Sequence, residues 1–114
     1  VRKIIGPSCE LMVDANCGYD PEVIIKLARK MEKYNIAWIE EPIFLDDLPN
    51  YTYVASKISI PIALGENHFT RWNFREIIEH KAGRILQGDP MVMGGITEYI
   101  NLAGVAATYG IMYK

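Results

Sequence analysis

Short apolar runs that end in an acid recur along this chain. Glu10-Leu11-Met12-Val13 runs into Asp14, Ala37-Trp38-Ile39 into Glu40-Glu41-Pro42, Ile60-Pro61-Ile62-Ala63-Leu64 into Gly65-Glu66-Asn67, and Arg84-Ile85-Leu86-Gln87 into Gly88-Asp89-Pro90. Apolar runs this short, bounded by Gly, Pro and Asn, read as buried strands. Between them lie longer stretches with helical signals. Asp20-Pro21-Glu22 supplies a cap, a first-position proline and an acid at the positive end of the dipole. Val23, Leu27, Ala28, Met31 and Tyr34 then share one helical face, with Lys26, Arg29, Lys30 and Lys33 as a solvated face opposite and Asn35 as the stop. Asp46-Asp47 and Pro49 open a second helix through about Lys57, with Tyr53, Val54 and Ile58 as its apolar positions. A third begins at Thr70, turns Phe74, Ile77 and Ile78 inward and closes at Ala82-Gly83. Gly94-Gly95 leads into a fourth, roughly residues 97–108, whose Ile100, Ala103, Gly104 and Ala107 form a small-residue packing face. Val1 to Ile5 reads as the end of a helix stopped by Gly6, and Ile111 as the start of a fifth strand. Trp38 and Trp72 are assigned to the core.

Strands alternating with helices in this way imply right-handed parallel βαβ units, an α/β fold. An open doubly wound sheet and a (β/α)8 TIM barrel share that order. Two features favour the barrel: the even repeat of the unit, and acids at strand C-terminal ends, where barrel enzymes build their sites. No G-x-G-x-x-G loop follows a strand, which counts against dinucleotide binding. A whole barrel takes about 200 residues or more, so this chain amounts to about half of one. Both ends fall inside an element, and residues 1–114 are expected to be part of a longer chain.

Composition narrows the class. Half of the 114 residues are hydrophobic and the formal net charge is −2, which excludes disordered, fibrous and nucleic-acid-binding proteins. No apolar run approaches the roughly 20 residues that span a bilayer, and no signal peptide is evident. Cys9 and Cys17 match neither a disulfide framework nor a zinc spacing, so they are expected as reduced thiols in a cytoplasmic protein. Cys17 could line a site, but packing is its simpler role.

The acids carry the chemistry. A step of 26 residues separates Asp14 from Glu40 and Glu40 from Glu66. On adjacent parallel strands at one height, about 4.8 Å apart, three such carboxylates converge. They cannot all stay ionised without a counter-charge. All-oxygen ligands without His or Cys select a hard divalent ion, Mg2+ first and Mn2+ second. Asn16, two residues past Asp14, points the same way along a strand, toward metal or substrate, with a turn role as the alternative. Glu41 points away from Glu40 and is expected in a salt bridge behind the site.

These stretches together resemble the enolase superfamily, within it the mandelate racemase-like branch. The resemblance rests on Val13-Asp14-Ala15-Asn16, Trp38-Ile39-Glu40-Glu41-Pro42, Gly65-Glu66-Asn67 and Gln87-Gly88-Asp89, followed by Gly94-Gly95-Ile96-Thr97, in the right order and spacing from about Cys9 to Gly110. It implies a partial C-terminal barrel domain, strands three to six plus the start of seven. The N-terminal capping domain and the remaining strands lie outside the chain. It implies Asp14, Glu40 and Glu66 as Mg2+ ligands. The implied reaction removes the proton α to a substrate carboxylate through a metal-stabilised enediolate. Asp89 would orient a catalytic His beyond Lys114; as a bare sequence feature it is equally a turn residue before Pro90. The branch's acid-sugar dehydratases carry polar residues after the Glu66 strand, which makes Asn67 and His68 candidates for substrate contact; otherwise His68 is an exposed loop histidine. The implied partner is a small carboxylate, an acid sugar or a 2-hydroxy acid, in a full-length homo-oligomer with no nucleic acid and no membrane. Dehydration of an acid sugar comes first and racemisation or epimerisation second. A non-catalytic, metal-binding half-barrel module is the alternative of a different class.

Overall fold

The computed structural model describes residues 1–114. Five strands form one parallel sheet in chain order: β1 (Leu11–Asp14), β2 (Ile36–Glu40), β3 (Ile62–Leu64), β4 (Ile85–Leu86) and β5 (Met112–Tyr113). A doubly wound sheet reverses its strand order part-way; this one never does. Right-handed crossovers laid down in one direction put every connecting helix on the same side. Those helices are α2 (Pro21–Met31), α3 (Leu48–Lys57), α4 (Thr70–Glu79) and α5 (Ile96–Tyr109), and a short α1 (Arg2–Ile5) precedes β1. This is half of a barrel wall, as expected. No helix is long and apolar enough to cross a membrane.

The helices cover one face of the sheet, and the other face carries none. Ile39, Ile62, Leu64 and Leu86 face the helices, in one core with Ile24, Ala28, Tyr51, Val54, Phe74, Ile77 and Leu102. Trp38, Ala63 and Ile85 make a small cluster on the other face. The β1–β2 register shifts by one residue between Leu11, opposite Ile36, and Val13, opposite Ile39. Ile36 and Ile39 are three residues apart, so strict alternation would send them to opposite faces. The shift lets both join the helix-side core and brings Glu40 opposite Asp14. β3 starts later than the apolar run suggests because Pro61 has no N–H for the ladder; its carbonyl still accepts from Ile39 N at 2.9 Å.

Helix faces depart from the pattern in three places. On α2, Ile24, Ile25 and Ala28 are buried while Val23 and Tyr34 are exposed; a 3-10 turn (Glu32–Tyr34) takes Tyr34 out of the α-helical period. On α3, Tyr51 rather than Tyr53 is buried; the Tyr53 hydroxyl donates to Glu22 at the surface. On α5, Leu102 and Ala106 are buried, whereas Ile100, Gly104 and Ala107 are exposed. That helix is apolar almost all round, so its pattern alone selects no face. α4 turns Phe74, Ile77 and Ile78 inward as expected, which forces Trp72 outward. Trp72 is 58% exposed, with the guanidinium carbons of Arg71 and Arg75 at 5.4 and 5.7 Å from its ring. It is a surface residue, not core; Trp38 is buried. Both cysteines are free.

Candidate metal centre

Asp14 and Glu40 end β1 and β2 directly opposite one another. Opposite Glu40 on β3 stands Ala63, so Glu66 lies three residues further on, in the turn after Gly65. Equal sequence steps have not become equal heights, because turns and late strand starts absorb residues differently in each unit. Glu66 nevertheless stays in range of the other acids. Its carboxyl is pushed above the ordinary range, first by partial burial and then by Glu41, Glu40 and Asp14 in turn.

No cation answers this charge. The ion pairs Arg71–Glu98, Arg75–Glu76 and Arg75–Glu79 all lie on α4 and α5. The carboxylates do not form a closed cage either: no three His, Cys, Asp or Glu side chains are grouped as an ion's ligands. Asp14 Oδ1 accepts from the backbone N–H of Asn16 at 2.9 Å. Asn67 Nδ2 donates to Glu66 Oε1 at 3.5 Å.

Glu41 was expected in a salt bridge and has none. It is fully buried, and its carboxylate accepts from Asn67 Nδ2 at 3.0 and 3.3 Å and from the Cys17 thiol at 3.5 Å. Burial, then Glu41, pushes that thiol up to about 11. The Glu-Glu doublet signalled two acids at this strand end, but not that the second is buried among hydrogen-bond donors. Cys17 is thus half-buried against an acid rather than simply packed.

The remaining candidates fall as follows. Asn16 and Cys17 adopt left-handed φ values of 43° and 57°, so strand alternation stops at Asp14. Asn16 is an exposed turn residue at the rim, and its direction does not follow from Asp14's. His68 is buried rather than exposed, with its ring centroid 6.0 Å from that of Phe74 and no partner for Nδ1. Burial pulls it below the ordinary histidine value, against the opposing effect of Glu41 and Asp46. Asp89 forms a turn: Oδ1 accepts from Met91 N at 2.8 Å, and its carbonyl accepts from Val92 and Met93 N–H. Oδ2 makes no hydrogen bond within the chain.

A model of the enolase C-terminal domain-like family matches residues 1–114. The chain belongs to that family. Among its relatives is the arabinonate dehydratase of Saccharolobus solfataricus, 36% identical over 110 residues that make up 96% of this chain and 30% of that enzyme. Among solved structures, the L-talarate dehydratase of Polaromonas, complexed with Mg and L-glucarate, superposes with a TM-score of 0.92 at 34% identity, covering 98% of this chain and 31% of that one. A Bradyrhizobium enolase complexed with magnesium and mandelic acid gives 0.95 at 34% identity over 98% of this chain and 31% of that one. The chain therefore spans about 30% of the length of the curated relatives it matches. As a member of the enolase C-terminal domain-like family it is a stretch of the barrel wall. The acids at the C-terminal ends of its strands offer only oxygen atoms and have no ammonium or guanidinium partner, a chemistry that suits a hard dication such as Mg2+, although their side chains are not drawn together as a ligand shell.

Proposed function

We propose that this chain is the metal-holding part of a Mg2+-dependent enzyme that removes the proton α to a carboxylate, with dehydration of an acid sugar to a 2-keto-3-deoxy acid as the reaction. The observation that carries this reading is the set of acids without a cationic partner at one end of a parallel sheet: Asp14 and Glu40 end β1 and β2 opposite one another, and the Glu66 carboxyl is raised by partial burial first and then by Glu41, Glu40 and Asp14. Dehydratase relatives support the substrate class. Asp14, Glu40 and Glu66 would hold the ion; when bound, Mg2+ would supply positive charge against the charge developing on the substrate carboxylate.

The other residues bind and orient. Asp89 keeps Oδ2 for the N–H of a histidine outside the chain, and that bond favours the charged ring. Asn16 at the rim would meet substrate hydroxyls, as would Asn67 through its amide oxygen; His68 would join them only if its buried, unpartnered Nδ1 were uncovered. In this reading the bases that move the proton lie outside residues 1–114, so the 114-residue chain by itself is expected to be inactive. Racemisation of a 2-hydroxy acid is the second reading, favoured by the mandelic acid in the Bradyrhizobium relative; it uses the same acids and differs in product.

The test is calorimetric titration of the full-length protein with Mg2+, followed by turnover of a panel of aldonates and aldarates. One Mg2+ site is expected, lost in each of D14N, E40Q and E66Q, with a 2-keto-3-deoxy product abolished by EDTA. Unchanged Mg2+ affinity in all three variants would overturn the assignment. Exchange of the α-proton without loss of water would select the racemase.

A further inference from the structure

Glu41 is the one carboxylate of the cluster that is fully buried. It also touches both neighbouring acid-bearing loops. Its side chain accepts from Cys17 in the turn that follows Asp14, and from Asn67, the residue after Glu66. Its backbone ties it to the β1 turn and to β3 itself: the carbonyl accepts from Cys17 N at 2.7 Å, and the N–H donates to Ala63 O of β3 at 3.0 Å. The Asn67 amide reaches Glu66 Oε1 as well, so a single NH2 group bridges the buried acid and the exposed one. The backbone is strained where these contacts form, with φ of 36° at Glu41, 43° at Asn16 and 57° at Cys17. Strain of this kind persists only where surrounding contacts over-determine it.

We propose that Glu41 is a positioning residue that clamps the β1 and β3 loops to the end of β2 and so sets where Asp14 and Glu66 stand relative to Glu40. The clamp rests on the reading that these three acids hold the ion. It explains two features together. A buried carboxylate with no cation is costly, yet here it is met by donors from segments 24 and 26 residues away in sequence. And Glu66, which strand register leaves three residues past its expected level, is still held among the other acids. Loss of the clamp would leave the fold intact and let the two loops drift.

The test pairs E41Q with N67A, N67D and the E41Q/N67D double variant in the full-length protein. Asn67 is exposed, so its variants keep the protein folded even if E41Q alone does not. E41Q and N67A are each expected to weaken Mg2+ at least tenfold by calorimetry. In N67D two carboxylates face each other. Removing the Glu41 charge from that background should weaken Mg2+ binding on electrostatic grounds alone. The clamp requires the reverse: the amide introduced at position 41 donates to the carboxylate introduced at position 67, the bridge re-forms with exchanged polarity, and the double variant binds at least tenfold tighter than N67D. A second readout needs no metal. Hydrogen–deuterium exchange of the ion-free protein should quicken at least tenfold in E41Q over residues 15–18 and 65–68, leave the β2–β4 core unchanged, and recover in the double variant. A double variant weaker than N67D, or loops that exchange at the wild-type rate in E41Q, overturns the clamp. If the wild-type protein binds no Mg2+, the metal assignment fails on its own, and loop exchange still decides the clamp.

Discussion

Gly65 joins the fold to the site, and alanine there should be among the costliest small substitutions in the protein. It stands between Leu64, the last residue of β3, and Glu66. An added Cβ would lie 2.5 Å from Phe74 Cε1, 2.6 Å from Gln87 O and 3.1 Å from Gln87 N. Ordinary carbon contacts are about 3.5–4.0 Å, so the neighbours would have to withdraw by about 1 Å. Neither can do so freely. Phe74 is fully buried, and the Gln87 backbone belongs to the β3–β4 ladder through Gln87 N and Leu64 O at 3.0 Å. Overpacking of this kind costs about 1–3 kcal/mol. The φ of 137° adds backbone strain of about 1–2 kcal/mol for a residue with a side chain. Together these give roughly 2–5 kcal/mol, out of the roughly 5–15 typical for a domain. Urea denaturation followed by circular dichroism measures the loss, with Gly95→Ala as the control. Gly95 has a comparable φ of 100° and nothing within 4 Å of its added Cβ, so it reports backbone strain alone. If the two variants lose equal stability, or G65A loses less than about 0.5 kcal/mol, the steric reasoning is refuted.

Other outcomes follow from single contacts. Cys17, held up to about 11 by burial and Glu41, should react with iodoacetamide at pH 8 roughly a hundredfold more slowly than exposed Cys9, because the thiolate is the nucleophile; peptide mapping measures the ratio, and a value below about ten would refute it. The sign for stability is set by the raised value: the protonated thiol's contribution is complete below pH 9.0, the ordinary value, and is lost as pH rises through about 11. Tyr51→Phe removes the hydroxyl that donates to Ile43 O at 2.8 Å in the core and should cost about 1–3 kcal/mol in denaturant unfolding. Asp47→Ala deletes the cap that accepts from Asn50 N at 3.2 Å and should cost about 1 kcal/mol, visible as a lowered melting temperature. Trp72→Ala should cost no more than about 1 kcal/mol, against about 3–5 for Phe74→Ala on the same helix; equal losses would return Trp72 to the core.

Much of the architecture was legible in the order of residues. Apolar runs ending in Asp14, Glu40 and Asp89 became strands or the turns just beyond them, and Asp20-Pro21 and Asp47 sit at helix starts, because strand length and proline chemistry act within a few residues; of the two acids only Asp47 caps with its side chain, and Asp20 makes no such bond. Family membership was legible for the same reason, since each motif is a local string at a strand end. Tertiary contacts decided the rest. The one-residue register shift that brings Glu40 opposite Asp14, the lag that leaves Glu66 past its neighbours, and the burial of Glu41 between two loops all depend on residues about 25 positions apart meeting in space. Helix faces divide the same way: α4, with a clear polar side, was readable, whereas α5, apolar nearly all round, needed the sheet to choose for it. Local periodicity specifies which elements form, and packing between distant segments specifies where their side chains end up.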